Sequence, residues 1–166
     1  MAEDFDLVLE RTLDAPRKLV WEAYTNPEHL KRWFAPKPFE ITEMELDLKP
    51  GGIFRLRMVG PEGFDTGHGN AGCVLEVVDQ EKLVWTSALG PEFRPATLAT
   101  EGCESFPMTA VITLADAGNG KTFYRAVALH KNPADKESHE KMGFNEGWGT
   151  VAGQLEEFAQ SLAANA

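Results

Sequence analysis

The sequence predicts an α+β fold: a curved antiparallel sheet of about seven strands wrapped around one long C-terminal helix, with two short helices after the first strand. Three observations predict it. Apolar residues recur at every second position through most of residues 39–129, the period of a strand. The connections between these runs are mostly short, which joins successive strands antiparallel. Beyond them the period changes. Phe144, Trp148, Val151, Leu155, Phe158 and Leu162 recur at steps of four and three, one stripe of an α-helix.

The elements follow in order. Phe5 to Leu13 alternates, with Phe5, Leu7 and Leu9 on one face, and reads as a strand. Pro16 suits a first helical turn, with Asp14 ahead of it as a cap, and Val20, Ala23 and Tyr24 give a short apolar face. Asn26-Pro27 restarts the pattern as cap and first helical position, and Leu30, Trp33 and Phe34 follow at helical spacing until Pro36 and Pro38 stop it. Phe39 to Leu48 is a strand whose parity changes inside it. A β-bulge near Thr42-Glu43 would return Phe39, Ile41, Met44, Leu46 and Leu48 to one side. Pro50-Gly51-Gly52 is a turn, and Ile53 to Val59 sets Phe54, Leu56 and Met58 opposite Arg55 and Arg57. Gly60 to Asn70, with four glycines, is a loop. Ala71–Val78, Leu83–Leu89, Phe106–Leu114 and Thr122–Leu129 complete the strands; the last two are apolar enough for a sheet interior. Gly90 to Glu104 exceeds a hairpin and carries Pro91, Phe93, Pro95 and Leu98; it reads equally as a binding loop or as a surface loop.

The final helix is expected from about Lys136 or Glu140 to Leu162, which places Gly143, Gly147, Gly149 and Gly153 within it. Each glycine inside a helix costs about 1 kcal/mol relative to alanine. Close packing explains such a set, and so does room for a ligand beside Trp148.

Composition narrows the function classes. A chain of 166 residues fits one domain, residues 1–166, with 43% hydrophobic and 25% charged residues. A net charge of −10 argues against nucleic acid or an anionic membrane surface as partner. No apolar run of about 18 residues is present to span a bilayer. The start lacks an export signal, and Cys73 and Cys103 read as reduced thiols without a disulfide, so a cytoplasmic protein is expected.

No motif names a reaction. His29, His68, His130 and His139 lack metal-ligand spacing, and no phosphate-binding loop of recognised spacing occurs, so neither metal nor cofactor is expected. Tyr124, Ala126, Ala128 and His130 share one strand face. That face is either a space over the sheet with Tyr124 and His130 as hydrogen-bonding groups inside it or, slightly favoured, a solvated surface with both side chains in water.

The order of short motifs resembles a known family. Ala15-Pro16, Val20-Trp-Glu-Ala-Tyr-Thr-Asn-Pro-Glu-His-Leu30 and Trp33-Phe-Ala-Pro36, then Gly51-Gly-Ile-Phe-Arg55, Gly72-Cys-Val-Leu-Glu-Val-Val78, Leu83-Val-Trp-Thr86 and His139 to Trp148 are similar to the bacterial proteins named for the activator of heat-shock protein 90 ATPase, in the START/birch-pollen-allergen-like (SRPBCC) superfamily. The resemblance implies a helix-grip fold with a cavity under the C-terminal helix, binding of a small apolar or amphipathic molecule, and no shared catalytic motif. Residues placed to line such a cavity are Trp33, Phe54, Met58, Trp85, Phe106, Met108, Tyr124, His130, Phe144 and Trp148. A cyclase- or hydrolase-type enzyme using the same cavity and a chaperone-interacting protein, as monomer or homodimer, are the alternatives.

Overall fold

The computed structural model describes residues 5–67, 71–98 and 106–164. Its elements are β1 (Asp6–Leu13), α1 (Arg17–Thr25), α2 (Pro27–Trp33), β2 (Glu40–Leu46), β3 (Ile53–Val59), β4 (Gly72–Val78), β5 (Lys82–Thr86), the two-residue strands β6 (Leu89–Gly90) and β7 (Arg94–Pro95), β8 (Thr109–Gly118), β9 (Lys121–Leu129), α3 (Pro133–Lys141) and α4 (Phe144–Ala164). Seven strands form one antiparallel sheet in the order β1-β9-β8-β5-β4-β3-β2, so the α+β sheet-and-helix architecture holds.

Local chemistry accounts for the turns. Asn119 and Gly120 join β8 to β9 with φ of 54° and 73°, the left-handed pair that a tight hairpin requires. The expected bulge in β2 falls between Ile41 and Glu43, and Ile41 and Met44 are both buried as a result. Phe54, Trp85, Tyr124, Ala126 and Ala128 fall on the concave side, and there the sheet meets α1, α2 and α4. The face carrying Tyr124 and His130 is therefore interior: both residues are buried, which overturns the slightly favoured solvated reading.

Two helix expectations need correction. The C-terminal stretch is two helices. Asn132 accepts a hydrogen bond from the Asp135 amide at 2.8 Å, Pro133 opens α3, and Gly143, with φ of +92°, ends it before α4 starts at Phe144. Gly143 is thus a helix stop, outside the helix. Asp14 caps nothing. Its own amide donates to Glu156 on α4 at 2.6 Å, and α1 starts at Arg17 with Pro16 at the cap position, outside the helix, and no side-chain cap. Asn26 does act as expected, accepting from the Glu28 amide at 3.0 Å with Pro27 behind it.

The seam of α4 is also rotated from the expected stripe. Phe144, Ala152, Leu155 and Ala159 are buried, while Trp148, Val151, Phe158 and Leu162 flank them half-buried. Alanines on the seam let α4 lie close on α1 and β1. Polar residues of α4 then tie down the neighbouring loops. Gln154 donates to the carbonyls of Trp33 and Ala35, both at 2.8 Å, and accepts from the Lys37 amide at 3.1 Å.

Strand bounds and one loop also differ. β8 begins at Thr109 rather than Phe106. The run expected from Leu83 to Leu89 is β5, a bend, and β6. The start of the Gly90–Glu104 segment folds into the small β6–β7 ladder, with the Glu92 amide donating to Gly51 at 2.8 Å. Residues 99–105 lie outside the described residues, as do His68 and the Cys103 half of the disulfide expectation. Cys73 is a buried free thiol.

Candidate functional site

The concave side gathers aromatic rings into two networks. The first is built where α1 and α2 meet β3, β5 and β9. Phe54 on β3 stacks on Trp85 of β5, centroids 4.2 Å apart and planes within 6°. Phe34 stands edge-on to both, at 6.1 and 6.5 Å, and to Trp33 at 5.4 Å. Tyr24 of α1 meets Trp33 at 5.0 Å and Phe34 at 5.8 Å, and approaches Tyr124 of β9 at 6.4 Å. Such edge-to-face contacts match the ring quadrupoles. Trp33 is anchored by its indole N–H donating to the Ala23 carbonyl at 2.9 Å.

Three polar groups converge inside this first network. The Tyr24 and Tyr124 hydroxyls lie close enough for each to influence the other. Burial raises both tyrosines well above the ordinary phenol range, so both stay neutral donors. The Trp85 indole N–H is buried beside the Tyr24 hydroxyl, close enough to influence it, yet reaches no acceptor in hydrogen-bond geometry.

The register brings small residues alongside. Trp85 pairs with Ala110, Ala110 with Ala128, and Ala128 with Leu7. Next to the Phe54–Trp85 stack, β3 and β4 share the pairs Ile53–Cys73 and Phe54–Gly72 among the described residues. Beyond them Leu56 and Met58 are half-buried against the core.

The second network lies where α3, α4 and the end of β9 meet the start of β8. His139 sits among Phe144 at 5.2 Å, Phe106 at 5.4 Å and Trp148 at 5.9 Å, and His130 lies 5.1 Å away. His130 Nδ1 is 2.9 Å from the Phe5 carbonyl, and its Nε2 is 2.9 Å from His139 Nδ1. Burial first, and the neighbouring His130 second, push the His139 imidazole down to about 4. Met108 lines an open depression of about 250 Å³ with Pro107, Leu129, His130 and Lys131. A second open depression, about 440 Å³, lies between α1 and α2 at Glu22, Asn26 and His29, away from both networks.

The ten residues expected around one space are thus distributed. Trp33, Phe54, Trp85 and Tyr124 meet in the first network and Phe106, His130, Phe144 and Trp148 in the second, with Met58 beside the first and Met108 beside the second. Tyr24, Phe34 and His139 were missed. A tyrosine on a buried helix face that must find a hydroxyl partner was the available signal for Tyr24. Among the described residues no group of three or more His, Cys, Asp or Glu side chains is arranged to hold a metal ion, and no helix is long and apolar enough to cross a membrane.

Comparison with known proteins agrees with this architecture. A protein of Nitrosomonas europaea, known from its crystal structure, superposes with a TM-score of 0.88 at 44% identity, over 98% of this chain and 99% of its own. Proteins from Rhodobacter sphaeroides (TM-score 0.75, 20% identity, 96% of this chain and 93% of theirs) and Arthrobacter aurescens (0.73, 18%, 96% and 90%) share the fold. No curated protein matches the chain. The model of the activator of Hsp90 ATPase homolog 1-like proteins matches residues 14–160, and the chain belongs to that family.

Proposed function

We propose that the protein binds a small hydrophobic or amphipathic molecule against the first aromatic network, between the sheet and the helices. The observation that carries this reading is the Trp85 indole N–H, buried without an acceptor in an interior otherwise lined by rings and alanines. An unpaired buried donor costs about 1–3 kcal/mol. Native interiors usually pair such a group, with protein, water or ligand. A molecule with one acceptor oxygen on an apolar body takes this hydrogen bond and leaves its body against Phe34 and Phe54. These rings already touch, so a guest displaces one of them, and Phe34 and Trp85 are the half-buried members of the network. Membership of a family with this curved sheet supports a binding role and leaves the ligand open.

Native mass spectrometry of freshly purified protein, with the Trp85 indole resonance followed during titration with anilinonaphthalene sulfonate, tests the reading. A co-purified organic mass or a saturable shift of that resonance is expected. A clean apo mass together with an unmoved resonance overturns it and favours a chaperone contact, the partner that the family's description suggests.

A further inference from the structure

The second network supports an inference beyond that reading, at a different place in the fold. With both rings neutral, its hydrogen bonds allow one tautomer arrangement of two histidines. A backbone carbonyl only accepts, so His130 Nδ1 carries the proton it donates to Phe5. In the neutral pair His130 Nε2 is then an acceptor, and His139 Nδ1–H donates to it. That leaves His139 Nε2 with a bare lone pair. Among the described residues no partner is found for this atom, and it is not among the buried unpaired ones, so it faces a space that solvent reaches. The chain from carbonyl to His130 to His139 orients the second ring as a hydrogen-bonded carbonyl orients a metal-ligating histidine.

The fold builds this deliberately placed acceptor from four segments. Phe5 precedes β1, His130 follows β9, His139 lies in the last turn of α3, and Phe144 and Trp148 open α4 after the Gly143 stop. Phe106 closes the ring shell. A single lone pair set in an aromatic surround suits a neutral hydroxyl on an apolar body. Because the ring stays uncharged through the neutral range, it offers a carboxylate no attraction.

We propose that His139 Nε2 is the polar anchor of a binding site for a hydroxyl-bearing apolar molecule, an alcohol or a phenol, held at the rim against the half-buried Trp148, with the buried Phe106 and Phe144 rings behind it. The hydroxyl donates to Nε2, and no bond is made or broken.

The experiment uses the full chain labelled with 15N-histidine, with phenol, toluene and benzoate as probes at pH 7.5. Before any probe is added, His139 should show a protonated Nδ1 and a bare Nε2. Phenol should shift the Nε2 signal and bind about fivefold or more tighter than toluene, the size of one net hydrogen bond. Benzoate should bind no better than toluene. His139→Phe should bring phenol and toluene within about twofold of each other. A protonated Nε2 on His139 overturns the proposal with no variant needed. So do equal affinities for phenol and toluene, or an Nε2 signal that neither moves. These signals report on the histidine network alone, so a negative result here leaves the Trp85 reading standing, and a silent Trp85 leaves this one standing.

Discussion

The two aromatic networks differ in how their polar atoms are settled. Around Trp85 the rings are packed between the sheet and the helices, and one donor, the indole N–H, stays out of hydrogen-bond geometry inside. Around His139 every inner nitrogen is paired in a chain that ends on an outward lone pair. The first network leaves a donor short of its neighbouring hydroxyl oxygen, out of hydrogen-bond geometry. The second is braced, and the unused group on it is an acceptor at the rim. A closed site with a spare donor and an open one with a spare acceptor select different molecules, although both are built from the same residue types.

Truncation should separate the two most sharply. Trp33 is 1% exposed and anchors the first network through its own hydrogen bond. Trp33→Ala should cost about 3–5 kcal/mol in urea denaturation, the range for a large aromatic emptied from a core. Trp148 is half-buried on the flank of α4, and Trp148→Ala should cost clearly less. An equal loss at both positions would erase the distinction between a closed and a rim network.

The histidine network should reveal itself through pH. His139 is held down to about 4, against an ordinary value of 6.5. The unfolded chain therefore binds the extra proton first. Stability from this group is complete above about pH 6.5 and declines as pH falls toward 4. The full shift corresponds to about 3 kcal/mol, and solvent at the half-buried ring reduces this to about 1–2 kcal/mol. Urea midpoints compared at pH 7 and pH 5.5, above most carboxylate titrations, should show the start of that decline, and His139→Asn should flatten it. An identical slope in the variant would show that other groups set the acid response.

A smaller effect is expected from the tyrosine pair. Tyr124→Phe leaves the Tyr24 hydroxyl buried without the hydroxyl that now lies beside it. The loss should be about 1 kcal/mol by urea denaturation, the usual net worth of a hydrogen bond. The neighbouring Trp85 N–H can turn toward the vacated oxygen, so a loss near zero would mean that the indole donor is satisfied by Tyr24 in the variant.

The architecture was legible because alternation and turn residues are local. The β2 bulge followed from a parity change within one strand, and α2 from Asn26-Pro27. The same cap-and-proline pair at Asn132-Pro133 went unread because α3 buries no residue and so has no apolar period to announce it. Gly143 was read as an expensive helical glycine when its position after Lys141 fits a C-terminal stop. The site was less legible for a physical reason. Alternation assigns a residue to a face, but which rings meet depends on inter-strand register and on where helices cross. Nothing near His130 in sequence says that Phe5, 125 residues away, supplies its acceptor.

The smallest effect concerns the glycines of α4. Close packing, one of the two readings offered for them, holds at one position. A methyl group on Gly149 would stand 3.2 Å from the Arg11 guanidinium, so that position is close-packed, though only against the mobile end of a side chain. A methyl group on Gly147 would meet nothing within 4 Å, and neither would one on Gly153. Gly147 has no positive φ to protect, so the helix gains there what alanine usually gives over glycine, about 0.5–1 kcal/mol. Gly147→Ala should therefore raise the urea midpoint, while Gly149→Ala should change it little, its helical gain offset by the displaced Arg11. The space at Gly147 lies one residue from Trp148, beside the histidine network rather than the Trp85 network. The stabilised Gly147→Ala variant should thus leave a Trp85-centred probe response intact. A lost Trp85 response in a stabilised, folded variant would mean that the two networks share one space after all.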